Sequence, residues 1–230
     1  LPKIRLSEFF LMKKLFLLFH IFFIIFCVPF SYAKSLDNKL GNSLDGSNSL
    51  FHVLERYQYF SALFKQSTFQ ENNQREILGS IKADRSGKFK ISYFEPLNEI
   101  MMSDGKDFFR FDPELEQLVI EPLEGLLKET PVGLFTLNND ELKNLFLIRE
   151  CKGSINIFSC LLISKNEESF IKSINIKIKN STIDSLKYID TFGQIISLKF
   201  NDVSMMKIPD NEFQLNIPEG IDIVKYQGNK

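Results

Sequence analysis

The chain has 230 residues, with 28 Lys and Arg against 29 Asp and Glu, so its formal net charge is −1. This balance offers no basic surface for nucleic acid. The 24 Phe and 44% hydrophobic residues supply one sizeable core. With only two His and no glycine-rich phosphate loop, the sequence favours neither a His-based metal cluster, nor a Ser-His-Asp triad, nor a nucleotide site. We expect no cofactor, no metal and no enzyme activity.

The first 33 residues read as a secretory signal peptide. Met12-Lys13-Lys14 precede an apolar run over residues 15–28, and Ala33 ends a small-residue cleavage site. An uncleaved anchor is the alternative, but the run is shorter than the ~20 residues that a spanning helix needs. Residues 1–11 are interpreted as an upstream extension from a mis-chosen start. Residues 34–49, rich in Asn, Ser and Gly, are predicted to form a flexible tail before one domain over residues 50–230.

Cys27 raises a second alternative, in which the protein is itself a lipoprotein acylated at that residue. Lipoprotein signal sequences generally require a small residue before the acylated Cys, and here that residue is the bulky Phe26. Cleavage after Ala33 is therefore the favoured prediction, and it leaves an exported chain without a lipid anchor.

A first amphipathic helix is predicted where the tail ends. Five apolar residues follow helical spacing: Leu50, Val53, Leu54, Tyr57 and Phe60. Asn48 or Ser49 is available as the N-cap. Such a helix needs a sheet against which to bury its apolar face.

After that helix the dominant hydrophobic period is two. Apolar residues alternate with polar ones in three segments: Phe89, Ile91, Tyr93; Phe109, Phe111; and Ile174, Ile176, Ile178. Turn signals such as Ser86-Gly87 and Asn180-Ser181 separate the segments at short intervals. The pattern predicts about ten antiparallel strands that coil into a partial barrel with the apolar face inward. Phe89, Ile91, Tyr93, Phe109 and Phe111 are the predicted inward residues.

The strand rhythm breaks between Pro122 and Asn138. Thr130 as N-cap and Pro131 at the first helical position predict a short helix there. Its apolar residues can close the mouth of the barrel, and they are Val132, Leu134, Phe135 and Leu137. A core helix that never moves is the alternative. Gly133 favours a weakly held element, because Gly costs about 1 kcal/mol relative to Ala in a helix.

Two further features bear on chemistry. Asp104, Asp112 and Glu116 lie in predicted turns, where Asp binds its own backbone, so a catalytic carboxylate pair is not favoured. Cys151 and Cys160 flank a predicted hairpin in an oxidising compartment. A disulfide between them and two buried thiols both remain open, since pairing depends on the strand register.

A set of residues between Gly79 and Pro131 resembles, in order and spacing, the sequence pattern of the LolA family of lipoprotein carriers. In order they are Gly79, Arg85-Ser86-Gly87-Lys88-Phe89, Tyr93, Pro96, Ser103-Asp104-Gly105, Phe111-Asp112-Pro113, Glu116-Gln117 and Thr130-Pro131. The similarity continues through Asp190 to Gln194, Phe213, and Pro218 to Asp222, so it covers most of the chain after the leader. One departure is Ser86, where the family has Pro after the Arg, and it loosens the expected turn.

The resemblance implies an unclosed antiparallel β-barrel covered by helices, with an α-helical lid. It implies a monomeric periplasmic carrier that binds the acyl chains of outer-membrane lipoproteins, takes them from the LolCDE transporter and delivers them to the LolB receptor. Arg85 is then expected to latch the lid by bonding to lid residues. A solvated turn Arg paired with Asp84 is the alternative for that residue. A periplasmic binder of another lipid or glycolipid is the alternative for the whole protein.

Overall fold

The computed structural model describes residues 46–70, 73–123 and 125–226. The predicted signal peptide, its mis-start extension, Cys27 and residues 34–45 of the predicted tail lie outside these ranges. Within them, helix α1 spans Gly46–Glu55, so the last four residues of the predicted tail are helical. A 3₁₀ turn covers Leu126–Glu129, and it is followed by helices α2, Gly133–Thr136, and α3, Asn139–Leu145. A second 3₁₀ turn covers Asp210–Phe213.

One 12-stranded sheet forms the body of the described protein. Its strands are β1 Tyr59–Gln70, β2 Asn73–Asp84, β3 Lys88–Tyr93, β4 Ile100–Asp104, β5 Asp107–Asp112, β6 Gln117–Pro122, β7 Phe146–Ser154, β8 Ile157–Ser164, β9 Ile171–Lys179, β10 Thr182–Asp190, β11 Ile195–Ser204 and β12 Asp222–Lys225. Their order across the sheet is β12-β6-β5-β4-β3-β2-β1-β11-β10-β9-β8-β7. The neighbours are antiparallel, except that β12 runs parallel to β6. The sheet is open, with β7 and β12 at its edges, which confirms the predicted unclosed, mainly β fold with covering helices.

Helix α1 lies earlier in the chain than predicted: it begins at Gly46, so Asn48 and Ser49 are inside the helix and neither is its N-cap. It ends at Glu55, and the chain turns through residues 56–58 into β1, so Tyr57 follows the helix and Phe60 belongs to the strand. The apolar residues of the pattern are all buried nevertheless. The helix and the strand pack against the same core. Apolar residues therefore continue past the end of the helix at positions that match helical spacing.

The turns between strands follow the predicted chemistry. The β9–β10 hairpin turns at Asn180 and Ser181, which both have positive φ, 50° and 58°. Two such residues give the turn whose twist matches that of the strands. In the β7–β8 hairpin, Cys151 and Cys160 are directly opposed, with Cα atoms 4.1 Å apart, and they form a disulfide.

The convex face of the sheet is partly covered by the segment 208–217. Ile208 and Phe213 of this segment are buried. Three lysines on neighbouring strands fasten it: Lys82 pairs with Glu212, Lys88 Nζ lies 2.8 Å from Asp210, and Lys90 Nζ donates to the Gln214 carbonyl at 2.8 Å. The segment therefore covers the convex face of β3, β4 and β5.

Candidate functional site: an apolar cavity under a lid

A cavity of about 400 Å³ lies on the concave face of the sheet. The segment 126–145, which carries the first 3₁₀ turn with α2 and α3, packs over this face and is called the lid below. Most of the cavity wall is aromatic or aliphatic. It includes Phe64, Ile81, Phe89, Ile91, Tyr93, Met101, Phe108, Leu186, Tyr188, Leu198 and Phe200 from the sheet, and Leu126, Val132 and Phe135 from the lid.

Three of the five predicted inward residues line this cavity, namely Phe89, Ile91 and Tyr93 of β3. The prediction is wrong for Phe109 and Phe111. Phe109 lies on the convex face, where it borders a small pocket with Met102 and Phe213. By strand alternation Phe111 shares that face.

The error has a physical cause in β5, where three Phe residues place apolar side chains on both faces. The cavity-facing residues of this strand are Phe108 and Arg110. The convex face is also buried here, because the segment 208–217 covers it. Both faces of β5 therefore carry buried apolar residues, and the sequence pattern does not show which face lines the cavity.

Several cavity residues were missed in strands whose polar partners are lysines. Leu186 and Tyr188 alternate with Lys187 on β10, and Leu198 and Phe200 flank Lys199 on β11. The same period-two signal that identified β3 is present in these segments, and it could have identified them.

Gly79 on β2 shows how closely the wall is packed. A Cβ at this position would lie 2.4 Å from Cζ of Phe64 and 2.6 Å from the Ser92 carbonyl oxygen. Phe64 lies directly across the ladder from Gly79, and its ring lines the cavity. Glycine is therefore required so that this ring can lie flat against β2.

The polar side chains in the wall are Gln66, Tyr93, Arg110, Glu121, Glu129, Thr130 and Tyr188. Burial raises the pKa of Tyr93 to about 12, with the Glu99 carboxylate acting in the same direction. Burial likewise raises the pKa of Tyr188, helped by Tyr93 and Asp190. Both phenols stay neutral at physiological pH. Arg110, at the rim, forms an ion pair with the buried Glu99, so its charge is compensated within the protein.

The lid residues predicted from sequence are all buried. Val132 and Phe135 line the cavity directly. The Phe135 ring stacks on Phe60 with centroids 3.9 Å apart, and it meets Phe200 edge-on at 6.0 Å. The lid thus fills part of the concave face with its own apolar side chains.

The start of the lid helix differs from the prediction. Helix α2 begins at Gly133, after Val132, and Thr130 does not cap it; the buried Thr130 hydroxyl has no partner within the described residues. A Cβ on Gly133 would lie 2.2 Å from the Leu127 carbonyl oxygen. Close contact between α2 and the 3₁₀ turn therefore explains Gly133 without invoking a weak helix. The well-capped helix is α3, which Asn138 and Glu141 begin with a capping box.

Arg85 lies just after β2, and its side chain connects the lid to the end of α1. Its guanidinium donates to the Leu134 carbonyl at 3.2 Å and also to the Leu137 carbonyl, both in the lid. It also donates to the Leu54 carbonyl at 2.6 Å, and its Nε donates to the Tyr57 carbonyl at 3.0 Å. One cation thus satisfies four main-chain oxygens from two segments.

The surroundings of Arg85 are largely closed to water. Burial lowers the pKa of its guanidinium, and the Glu141 carboxylate partly opposes that shift. The Asp84 carboxylate instead accepts from the Ser86 amide at 2.8 Å and from the Ser86 hydroxyl at 2.6 Å. These contacts argue against the alternative of a solvated turn arginine paired with Asp84.

A second contact, not foreseen from sequence, holds the other end of the lid. The Glu129 carboxylate accepts from the Ser169 hydroxyl at 3.0 Å and from the Phe170 amide at 2.7 Å. Phe170 itself borders the cavity. The 3₁₀ turn of the lid is thereby tied to the loop before β9, across the mouth of the cavity.

Other kinds of site were sought in the described part of the chain. Residues 46–70, 73–123 and 125–226 contain no group of three or more His, Cys, Asp or Glu able to hold a metal ion. None of the helices that the structure describes has the length and apolar character needed to cross a bilayer. The turn carboxylates Asp104 and Asp112 accept bonds from backbone amides two and three residues on.

The comparisons with known proteins agree with this geometry. An outer-membrane lipoprotein carrier protein of Chromohalobacter salexigens is 27% identical over 80% of this chain and 88% of its own. Its counterpart in Pseudomonas putida is 28% identical over 76% and 86%. An uncharacterized conserved protein from Thermus thermophilus shares the fold, with a TM-score of 0.51 and 11% identity over 79% of this chain and 99% of that one. The family model for the outer membrane lipoprotein carrier protein LolA matches residues 55–216, and the chain therefore belongs to the LolA family of lipoprotein carriers.

Proposed function

We propose that this protein is a periplasmic chaperone that shelters the acyl chains of outer-membrane lipoproteins. It would receive them from the LolCDE transporter of the inner membrane and deliver them to the LolB receptor. It would act as a monomer, with no cofactor and no catalytic step. The observation that carries the proposal is the apolar cavity closed by a lid whose main chain is held by Arg85.

The energetics of the cargo explain why such a cavity is needed. Three long acyl chains in water would cost tens of kcal/mol, at about 0.8 kcal/mol for each exposed methylene. A chain of roughly 15 carbons, at about the 30 Å³ of a water molecule for each carbon, needs about 450 Å³. Three such chains need about 1,350 Å³, well beyond the cavity of about 400 Å³. A triacylated cargo therefore requires the lid to move.

Release occurs without a nucleotide, so the interactions lost when the cargo leaves must be replaced by interactions that form as the lid closes. When the lid closes, Phe135 again packs on Phe60 and Phe200. Arg85 again donates to the carbonyls of Leu134 and Leu137. Contacts within the protein then replace contacts with acyl chains, so the free-energy change of transfer to a receptor stays small.

The protein is proposed to enter the periplasm by cleavage after Ala33, with Lys34 as its first residue. N-terminal sequencing of the exported form measures this start. A chain beginning at an acylated Cys27 in the membrane fraction would indicate an anchored, receptor-like protein instead.

Depletion of the protein tests the proposed function. We expect labelled outer-membrane lipoproteins to accumulate in the inner-membrane fraction, because their acyl chains lose their aqueous carrier. Mass spectrometry of the lipids and lipoproteins that co-purify from periplasm is the companion measurement. Normal lipoprotein sorting, together with a co-purified glycolipid or other lipid, would favour the alternative cargo.

A further inference from the structure

Two phenylalanines stand exposed at the mouth of the cavity. Phe192, in the β10–β11 turn, is 85% exposed, and Phe170, before β9, is 40% exposed. Their rings meet edge-on with centroids 6.2 Å apart. Phe170 also borders the cavity, so this pair of rings, called the aromatic rim below, continues the cavity wall outward.

The turn that carries Phe192 is firmly ordered. The buried Asp190 carboxylate accepts from the Phe192 amide at 2.9 Å and from the Gln194 amide at 2.8 Å. Gly193 completes the turn with φ of 76°. A buried carboxylate thus fixes a turn whose large apolar side chain faces water. Single exposed apolar residues are common on proteins, but this one contacts a ring that borders an apolar cavity, which favours a binding role.

We propose that the aromatic rim binds the aliphatic chain of the cargo where it leaves the cavity. This inference rests on the proposed lipid-carrier function and adds a second contact site to it. Three acyl chains exceed the volume of the cavity, so part of their length emerges at the mouth. Phe170 is the first apolar side chain there, and Phe192 is its ring partner.

The surroundings favour an acyl chain over the two other occupants of such a surface. Glu129, Glu167 and Glu168 lie on the lid and on the loop leading to Phe170. Lys128, Lys165 and Lys172 lie in the same stretches, so acidic and basic side chains balance there and offer no excess of positive charge to an anionic bilayer. Two rings also offer far less area than the roughly 1,000 Å² that a stable protein interface needs.

The absence of tryptophan from the sequence makes a direct test possible. Each of three variants of the exported protein then holds one tryptophan. Phe192→Trp reports on the rim, Tyr93→Trp reports on the cavity, and Ile155→Trp is the control. Ile155 is 72% exposed at the tip of the β7–β8 hairpin, so it matches Phe192 in exposure.

The probe is a fatty acid brominated in mid-chain, because bromine quenches tryptophan fluorescence on contact. We expect quenching and a blue shift in Phe192→Trp and in Tyr93→Trp, with Ile155→Trp unchanged. In a separate titration, Phe192→Ser should weaken binding of the fatty acid about fivefold, since part of one Phe contact is lost. Phe192→Leu should keep most of the affinity.

The outcomes separate the rim from the cavity. Quenching in Tyr93→Trp without quenching in Phe192→Trp would overturn the rim and leave the carrier function standing. No quenching in either variant would contradict both. Equal quenching in Phe192→Trp and Ile155→Trp would mean non-specific adsorption and would overturn the rim. A blue shift of Phe192→Trp with anionic vesicles alone would assign the surface to a bilayer and also overturn it.

Discussion

The two ends of the lid are fastened by opposite chemistry. At the α2 end, one half-buried cation, Arg85, donates to four main-chain carbonyls, two of them in the lid. At the 3₁₀ end, one carboxylate, Glu129, accepts two bonds at the cavity mouth. The first fastening needs no particular lid side chain, because its acceptors are backbone oxygens. Each fastening makes two bonds to the lid, but the second lies nearer water, so we expect this end to open first.

The largest effect should come from placing a charge in the apolar wall of the cavity. Ile91→Glu places a carboxylate in the cavity wall, where burial of a charge is costly. We expect acyl binding to be abolished in folded protein, with folding checked by circular dichroism. Lys90→Gln, on the convex face of the same strand, is the matched control. Equal loss from both changes would mean that the cavity face is misassigned.

Cutting the stronger fastening should impair release. Arg85→Leu should still accept a lipoprotein but transfer it to LolB more than tenfold less well, because closing no longer regains the bonds of Arg85. This corresponds to about 1.5 to 3 kcal/mol, typical of hydrogen bonds to a charged group. Arg85→Lys keeps the charge but loses the planar guanidinium, so its transfer should lie between that of the wild type and that of Arg85→Leu. Unimpaired transfer by Arg85→Leu would leave the lid without this latch.

Cutting the weaker fastening should have a smaller effect. Glu129→Ala removes the carboxylate oxygen, Oε2, that accepts both bonds, and we expect transfer to fall about fivefold, as for a loss of roughly 1 kcal/mol. Glu129→Gln keeps one acceptor and should lose less. Glu168→Ala, on the exposed neighbouring loop, is the control. A loss equal to that of Arg85→Leu would show that the two ends contribute alike.

The sequence predicted much of this architecture because the signals are local. Strand alternation in Phe89, Ile91 and Tyr93, and the turn at Asn180 and Ser181, depend on neighbouring residues alone. The motif around Arg85 placed a cation after β2, and the structure brings that cation to the lid carbonyls.

The errors arise where contacts are distant in sequence. The convex position of Phe109 depends on Phe213, more than a hundred residues later. The pairing of Glu129 with Ser169 joins two loops that carry no shared pattern. Thr130 has the local chemistry of a helix cap, yet α2 begins only at Gly133, where the backbone packs closely on the Leu127 carbonyl.

The most direct test of the central claim, that cargo displaces the lid, measures distances across both of its ends. Spin labels at Lys128→Cys and Glu168→Cys span the Glu129 end, and labels at Arg56→Cys and Asp140→Cys span the Arg85 end; all four positions are exposed. Adding a synthetic triacylated lipopeptide should lengthen the first distance strongly and the second less. Two unchanged distances with the lipopeptide bound would contradict a moving lid.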